Sequence, residues 1–290
     1  MGTERPGLDA STAPAGPLVL MESWEVAHAA GAVVSRAGLA ALFGDPSVAF
    51  AWASVTKLCT ALAVLVACEE TVTGLDSPAG PPGSTVRHLL AHASGLGPDD
   101  SGVAFARPGA RRIYSNAGYE VLAGHLAGAS GIDFPTYVVE SVLEPAGMGG
   151  AELAGSPAAG MRGTIGDLAA LAFQLLDPVV VDPETLRLAS STAFPELDGV
   201  LPGFGRQRPC PWGLGPEVRG GKSPHWTGSR NSPATFGHFG QTGTFLWVDP
   251  EAGVACAVLT DRAFGPWAAT AWPALADEVL GWWATNVSAR

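Results

Sequence analysis

Between Asp45 and Glu69 only one side chain is charged, Lys57. From Ser54 to Ala67 the residues are apolar on nearly every face of a helix, so the segment has to be a core element of whatever the chain folds into. A lysine buried there needs partners or gives up its proton, because its charged form is poorly solvated. Ser54 precedes Lys57 by three residues, one helical turn away on about the same face. A hydroxyl beside an amine at the mouth of a core helix outlines a serine nucleophile with a lysine base. Spacing alone fits an N-cap serine and a snorkelling lysine equally well. The apolar surroundings favour chemistry, since no carboxylate lies nearby in sequence to pair with the lysine.

At 290 residues the chain can bury a large core. The net charge of −11 argues against nucleic acid or an anionic membrane as partner. The N-terminus has no basic start followed by an apolar run, so no secretory signal is read there. The run Leu58–Cys68 is too short to span a bilayer. Cys59 and Cys68 would lie roughly 13 Å apart on one helix, too far for a disulfide. With Cys210 and Cys256 they read as reduced structural thiols, and the expected location is the cytoplasm.

In chain order, residues 1–20 are expected to form a loose arm. Two paired strands are expected over Trp24–Ser35 and Gly38–Phe43. The Ser54 helix should end near Gly74 in the C′ position. Helices follow at Thr85–His92, from Asn116 to about Ala127, at Phe134–Leu143, at Thr164–Leu176 with a Thr164–Asp167 capping box, and at Glu184–Ala189. Phe194–Arg208 and Gly220–Pro233 read as loops, and Trp212–Val218 as a strand. Phe236–Phe239, Gly243–Val248 and Val254–Leu259 read as strands, with a turn at Asp249–Gly253, and Trp267–Trp283 as a closing helix. The expected fold class is α/β (α+β): an antiparallel sheet built from both chain ends (1–53 and 205–290) and flanked by helices, with a mostly helical subdomain (54–204) inserted.

Two further clusters carry chemistry. The chain has three tyrosines and three asparagines, so Tyr114-Ser-Asn116 is an uncommon pairing. A phenol beside a lysine ammonium loses its proton more easily and can act as a base. Asn116 offers a donor and an acceptor to a substrate carbonyl. Later, His238-Phe-Gly240 and Gln241-Thr-Gly243 lie on a strand edge, where glycine admits a close backbone and an amide can donate to an oxyanion. A packed tyrosine and a half-buried strand histidine are the plainer alternatives. Gly220-Gly-Lys-Ser223 lacks the earlier glycine of a phosphate loop, and His88/His92 lack the glutamate of a zinc-protease helix, so no metal or cofactor is expected.

Ser-x-x-Lys, then Tyr-x-Asn, then a late His-x-Gly resembles the serine β-lactamase and penicillin-binding-protein superfamily, in its class C-like branch of esterases and D-aminopeptidase- or DD-peptidase-like hydrolases. The blocks Thr85–Leu96, Pro108–Tyr119, Glu144–Met148 and Gly237–Pro250 also resemble that branch. The resemblance implies the nucleophile Ser54, its proton partner Lys57 and the proton shuttle Tyr114. It implies substrate binding by Asn116, His238 and Gly240, and an oxyanion hole from the N–H groups of Ser54 and Gln241. His238 stands where many members carry a lysine, and the long first helix is missing. Histidine is only partly charged near neutrality, which tilts the expectation from penicillins and DD-peptides toward a small neutral ester. A β-lactamase or D-amino-acid peptidase, and a catalytically silent binding or assembly protein, stay open as alternatives. The substrate is thus a small ester or amide, and the oligomeric state is open.

Overall fold

The structure is a computed structural model that describes residues 13–100 and 102–287. Its strands are β1 (Ala29–Ser35), β2 (Gly38–Phe43), β3 (Phe50–Ala51), β4 (Glu152–Leu153), β5 (Met161–Gly163), β6 (Gly199–Leu201), β7 (Gly205–Gln207), β8 (Glu217–Val218), β9 (Phe236–Gly240), β10 (Thr244–Asp249) and β11 (Val254–Thr260). Its helices are α1 (Thr56–Glu69), α2 (Val86–Leu90), α3 (Asn116–Ser130), α4 (Phe134–Val138), α5 (Glu144–Ala146), α6 (Ile165–Leu176), α7 (Pro183–Ser190) and α8 (Pro266–Val287). Six strands form one antiparallel sheet in the order β2-β1-β11-β10-β9-β8, so the two ends of the chain meet where β1 pairs with β11.

The central strand β11 is buried at every position, because both faces of the sheet are covered. Ala255, Ala257 and Leu259 face a core that α1 and α6 share, while Val254, Cys256 and Val258 face a second core closed by α8 and the Gly16–Ser23 turn. The alanines that weaken the strand signal of β1 are useful here. Ala30 and Ala32 are fully buried in the core that holds Ala169 and Ala172 of α6, so helix and sheet approach closely. Gly31 does the same on the other face, where an added Cβ would lie 2.8 Å from the Met21 sulfur. The Thr164–Asp167 capping box starts α6 as expected.

Several expectations change. Residues 16–23 form a 3₁₀ turn packed on the sheet and not a loose arm; the rest of the expected arm, residues 1–12, lies outside the described residues. Trp24–His28 is not strand, and the first strand begins at Ala29. The core helix stops at Glu69, because Thr71 takes a left-handed φ of 61° and Gly74 is not its C′ residue. The Phe134–Leu143 helix widens to a π turn over Val139–Leu143. The expected loop Phe194–Arg208 contains the β6–β7 hairpin, whose Pro202-Gly-Phe204 turn supplies the loop-like composition. Within Trp212–Val218 only Glu217 and Val218 are strand, because Gly213 folds back to donate to Pro216 O. No helix among the described residues is long and apolar enough to cross a membrane. All four cysteines are free.

Candidate active site

Ser54 is the partly exposed residue in an otherwise buried 3₁₀ turn, Ala53–Val55, that feeds α1. The residue before it, Ala53, is held at a φ of 46°, a conformation an L side chain adopts only against a cost of order 1–2 kcal/mol. Strain of this kind persists where surrounding contacts demand it. Here Thr242 Oγ1 donates to Ala51 O (2.8 Å) and Thr244 Oγ1 to Trp52 O (2.9 Å), clamping the β9–β10 hairpin onto the chain before Ser54. Gly240 sits at that clamp: a Cβ there would come within 2.4 Å of both Trp52 O and Thr244 Oγ1. The tight turn after Gly240, closed by Gly243 N–H to Gly240 O, carries Gln241 beside the Ser54 turn.

Lys57 is fully buried, one turn along α1. Its Nζ lies 2.7 Å from Asn116 Oδ1, 2.8 Å from Ala158 O and 3.3 Å from Ser54 Oγ. Burial pulls its pKa from 10.5 to about 7, with Asp99 and Glu120 pulling the other way. In the neutral amine the two short contacts use both N–H bonds, and the lone pair is left for the Ser54 hydroxyl. Lys57 also lies 4.8 Å from the Tyr114 ring centre and 5.4 Å from that of Tyr119.

Tyr114 lies just before α3, at the edge of a cavity, with its phenol toward Ser54. Its pKa moves up and not down as the sequence suggested, because burial outweighs the hydrogen bond with Ser54. The expected help from a lysine ammonium is weakened, since burial also discharges Lys57. Tyr114 is therefore a phenol that keeps its proton. Ser115 caps α3, its Oγ accepting from Gly118 N (2.9 Å), which frees Asn116 from capping. Asn116 spends Oδ1 on Lys57 and one Nδ2 hydrogen on Asp99 (2.8 Å), keeping one N–H and one lone pair for a ligand.

His238, on β9, is buried with its ring centre 5.8 Å from that of Tyr114. A carbonyl only accepts, so the 2.7 Å contact to Phe239 O puts the proton on Nδ1 and leaves Nε2 a bare acceptor without a partner among the described residues. Burial, with Lys57 second, lowers its pKa to about 3, so the imidazole is neutral.

Four parts of the site are absent from the motifs. Asp99 and Ala158 O come from loops distant in sequence. His92, at a φ of 54°, accepts from Ser115 N through Nδ1 (3.1 Å) and packs 4.6 Å from Tyr114. Trp212 packs 5.8 Å from Tyr114 and 5.7 Å from His238. The other sequence candidates serve elsewhere. His88 bonds Thr85 (2.8 Å) and stacks on Phe194. Lys222, of the phosphate-loop-like run, is buried against Glu217 at 2.6 Å. Among the described residues no cluster suits a metal ion.

Comparison with known proteins identifies the family and the fold. A crystal structure of a beta-lactamase from Mycobacterium bovis is 52% identical, covering 92% of this chain and 99% of that one, with a TM-score of 0.91. The structure of EstCE1, described as a hydrolase with promiscuous acyltransferase activity, is 18% identical over 91% of this chain and 96% of its own, and with a TM-score of 0.75 it shares the fold. Penicillin-binding protein 4* of Bacillus subtilis (strain 168) is 32% identical over 132 residues, 34% of this chain and 29% of that protein, so the match spans under a third of that relative. The family model described as Beta-lactamase matches residues 5–280, and the chain belongs to this family of serine hydrolases.

Proposed function

We propose that the protein hydrolyses small esters through an acyl-enzyme on Ser54, as a carboxylesterase. The observation that carries this reading is Lys57 buried 3.3 Å from Ser54 Oγ, where desolvation lowers its pKa to about 7 and so makes the neutral amine accessible near neutral pH. The neutral amine takes the Ser54 proton as Oγ attacks the ester carbonyl carbon, and the oxyanion is held by the N–H groups of Ser54 and Gln241. As the C–O bond breaks, Tyr114 donates its proton to the leaving alkoxide and is reprotonated from Lys57. The proton that left Ser54 thus ends on Tyr114, and the one Tyr114 held ends on the alcohol. Water then attacks the acyl carbon, giving its proton back through the same pair, and Ser54 is released. Asn116 and His238 line the path, and His238 brings no positive charge to it, which favours a substrate without a carboxylate beside the scissile bond.

A second reading, β-lactam hydrolysis, is favoured by the name of the Mycobacterium bovis relative. A fluorophosphonate probe followed by intact-mass analysis is expected to give one adduct, absent in Ser54→Ala. Nitrocefin turnover that outpaces turnover of short nitrophenyl esters would replace the esterase reading with the β-lactamase one. Folded protein with no adduct would point to a silent binder.

A further inference from the structure

Beside Tyr114 lies a cavity of about 670 Å³, within the range of small-molecule pockets. Pro98, Ile113, Val200 and Pro202 give it apolar walls. Val200, on the β6–β7 hairpin, is 60% exposed, an apolar surface an occupant would cover. Arg112 is spent on the wall itself: its guanidinium donates to the carbonyls of Ala91, Ala193, Phe194 and Cys210. The rim differs. Arg206, which lines the cavity, lies 3.7 Å from the Asp198 carboxylate, which Arg208, outside the cavity lining, also meets at 3.3 Å. Arg111, which also lines the cavity, has no ion pair among the described residues. A chain of net charge −11 has therefore gathered a local surplus of cations around an apolar pocket.

Tyr114 orients the pocket relative to the reaction. A phenol that keeps its proton serves the oxygen that leaves, so the arm attached to that oxygen must run past Tyr114, into the space Tyr114 lines. We infer that this cavity holds the leaving-group arm of the substrate, and that the arm is an aliphatic chain ending in an anion that meets Arg111. The inference rests on the ester-hydrolase reading. Hydrolysis would consume water and release the acyl group as an acid and the arm as a hydroxy acid, its carboxylate distant from the scissile bond.

Acetoxyhexanoate and hexyl acetate have the same acyl group and nearly the same chain, and differ in the terminal charge. Acetate release should give a kcat/KM roughly fivefold higher for the anionic ester at low salt, the scale of one partly exposed ion pair. In Arg111→Gln the ratio between the two esters should fall toward one. Hexyl acetate turnover with no preference in the wild type, or a preference that survives Arg111→Gln, overturns this inference and leaves the esterase reading standing. No turnover of any ester, with no fluorophosphonate adduct, overturns the esterase reading. Calorimetry on Ser54→Ala tests the pocket without chemistry: hydroxyhexanoate should bind more tightly than hexanol and lose that advantage on adding Arg111→Gln. Equal binding of the two contradicts the pocket assignment.

Discussion

Lys57 concentrates the argument at the scale of one residue. Its burial could be read from the apolar run around it, and its nearness to Ser54 from helical spacing. Its discharge to about 7 needed the fold, because the balance depends on how far Asp99 and Glu120 sit from a fully desolvated amine. The shift has a signature in stability. The unfolded lysine holds its proton up to 10.5, whereas the folded one releases it near 7, so between those values the unfolded state binds more protons and stability rises with pH. Below 7 both forms are charged and the burial penalty is at its full size. Denaturant unfolding of the wild type should gain a few kcal/mol between pH 7 and 10.5 relative to Lys57→Met, which lacks the group. Parallel pH profiles for the two proteins would show that the buried amine is not discharged.

Among the elements, the β9–β10 hairpin positions the site, and its strands and glycines were legible from alternation and turn residues. What could not be read is the packing of Gly240 against Trp52 O and Thr244 Oγ1, since it joins segments 188 residues apart (240 minus 52). Gly240→Ala is expected to push the hairpin off the Ser54 turn. It should cost about 1–3 kcal/mol of stability and, by moving the proposed oxyanion donor Gln241, on the order of 100-fold in kcat. An unchanged kcat in folded Gly240→Ala would separate the hairpin from the reaction. Strand β8 raises a different issue. Burial favours a neutral Glu217, but Lys222 and His225 outweigh it and hold the carboxyl well below the usual range. Lys222 Nζ, 2.6 Å away, also donates to the carbonyls of Pro211 and Val218, and His225 and Trp226 bond the same carboxylate. Glu217→Gln strands a buried ammonium and should destabilise by about 3–5 kcal/mol in urea unfolding. This cluster was hidden in a run that resembled a phosphate loop, because sequence does not tell a buried lysine from an exposed one when polar residues surround it.

Across the whole molecule, the antiparallel sheet was legible because β1, β10 and β11 lie near opposite ends of the chain and alternate or run apolar as buried strands do. The β6–β7 hairpin was not, since three-residue strands around proline and glycine carry too little periodicity. Coverage by the C-terminal helix α8 was legible from its apolar composition, but not that α6, from the middle of the chain, covers the opposite face. The two cores place Cys59 and Cys256 out of reach, Cys210 is buried outside them beside Arg112, and burial raises the Cys59 pKa to about 12. Thiol labelling of native protein should therefore modify the half-exposed Cys68 first and the other three only on unfolding. The central claim, that a neutral Lys57 activates Ser54, is tested most directly by the pH dependence of fluorophosphonate labelling at Ser54, followed by intact mass. The rate should climb about tenfold per pH unit below 7 and level off above it. A rate indifferent to pH across that range, or an adduct on another residue, would contradict it.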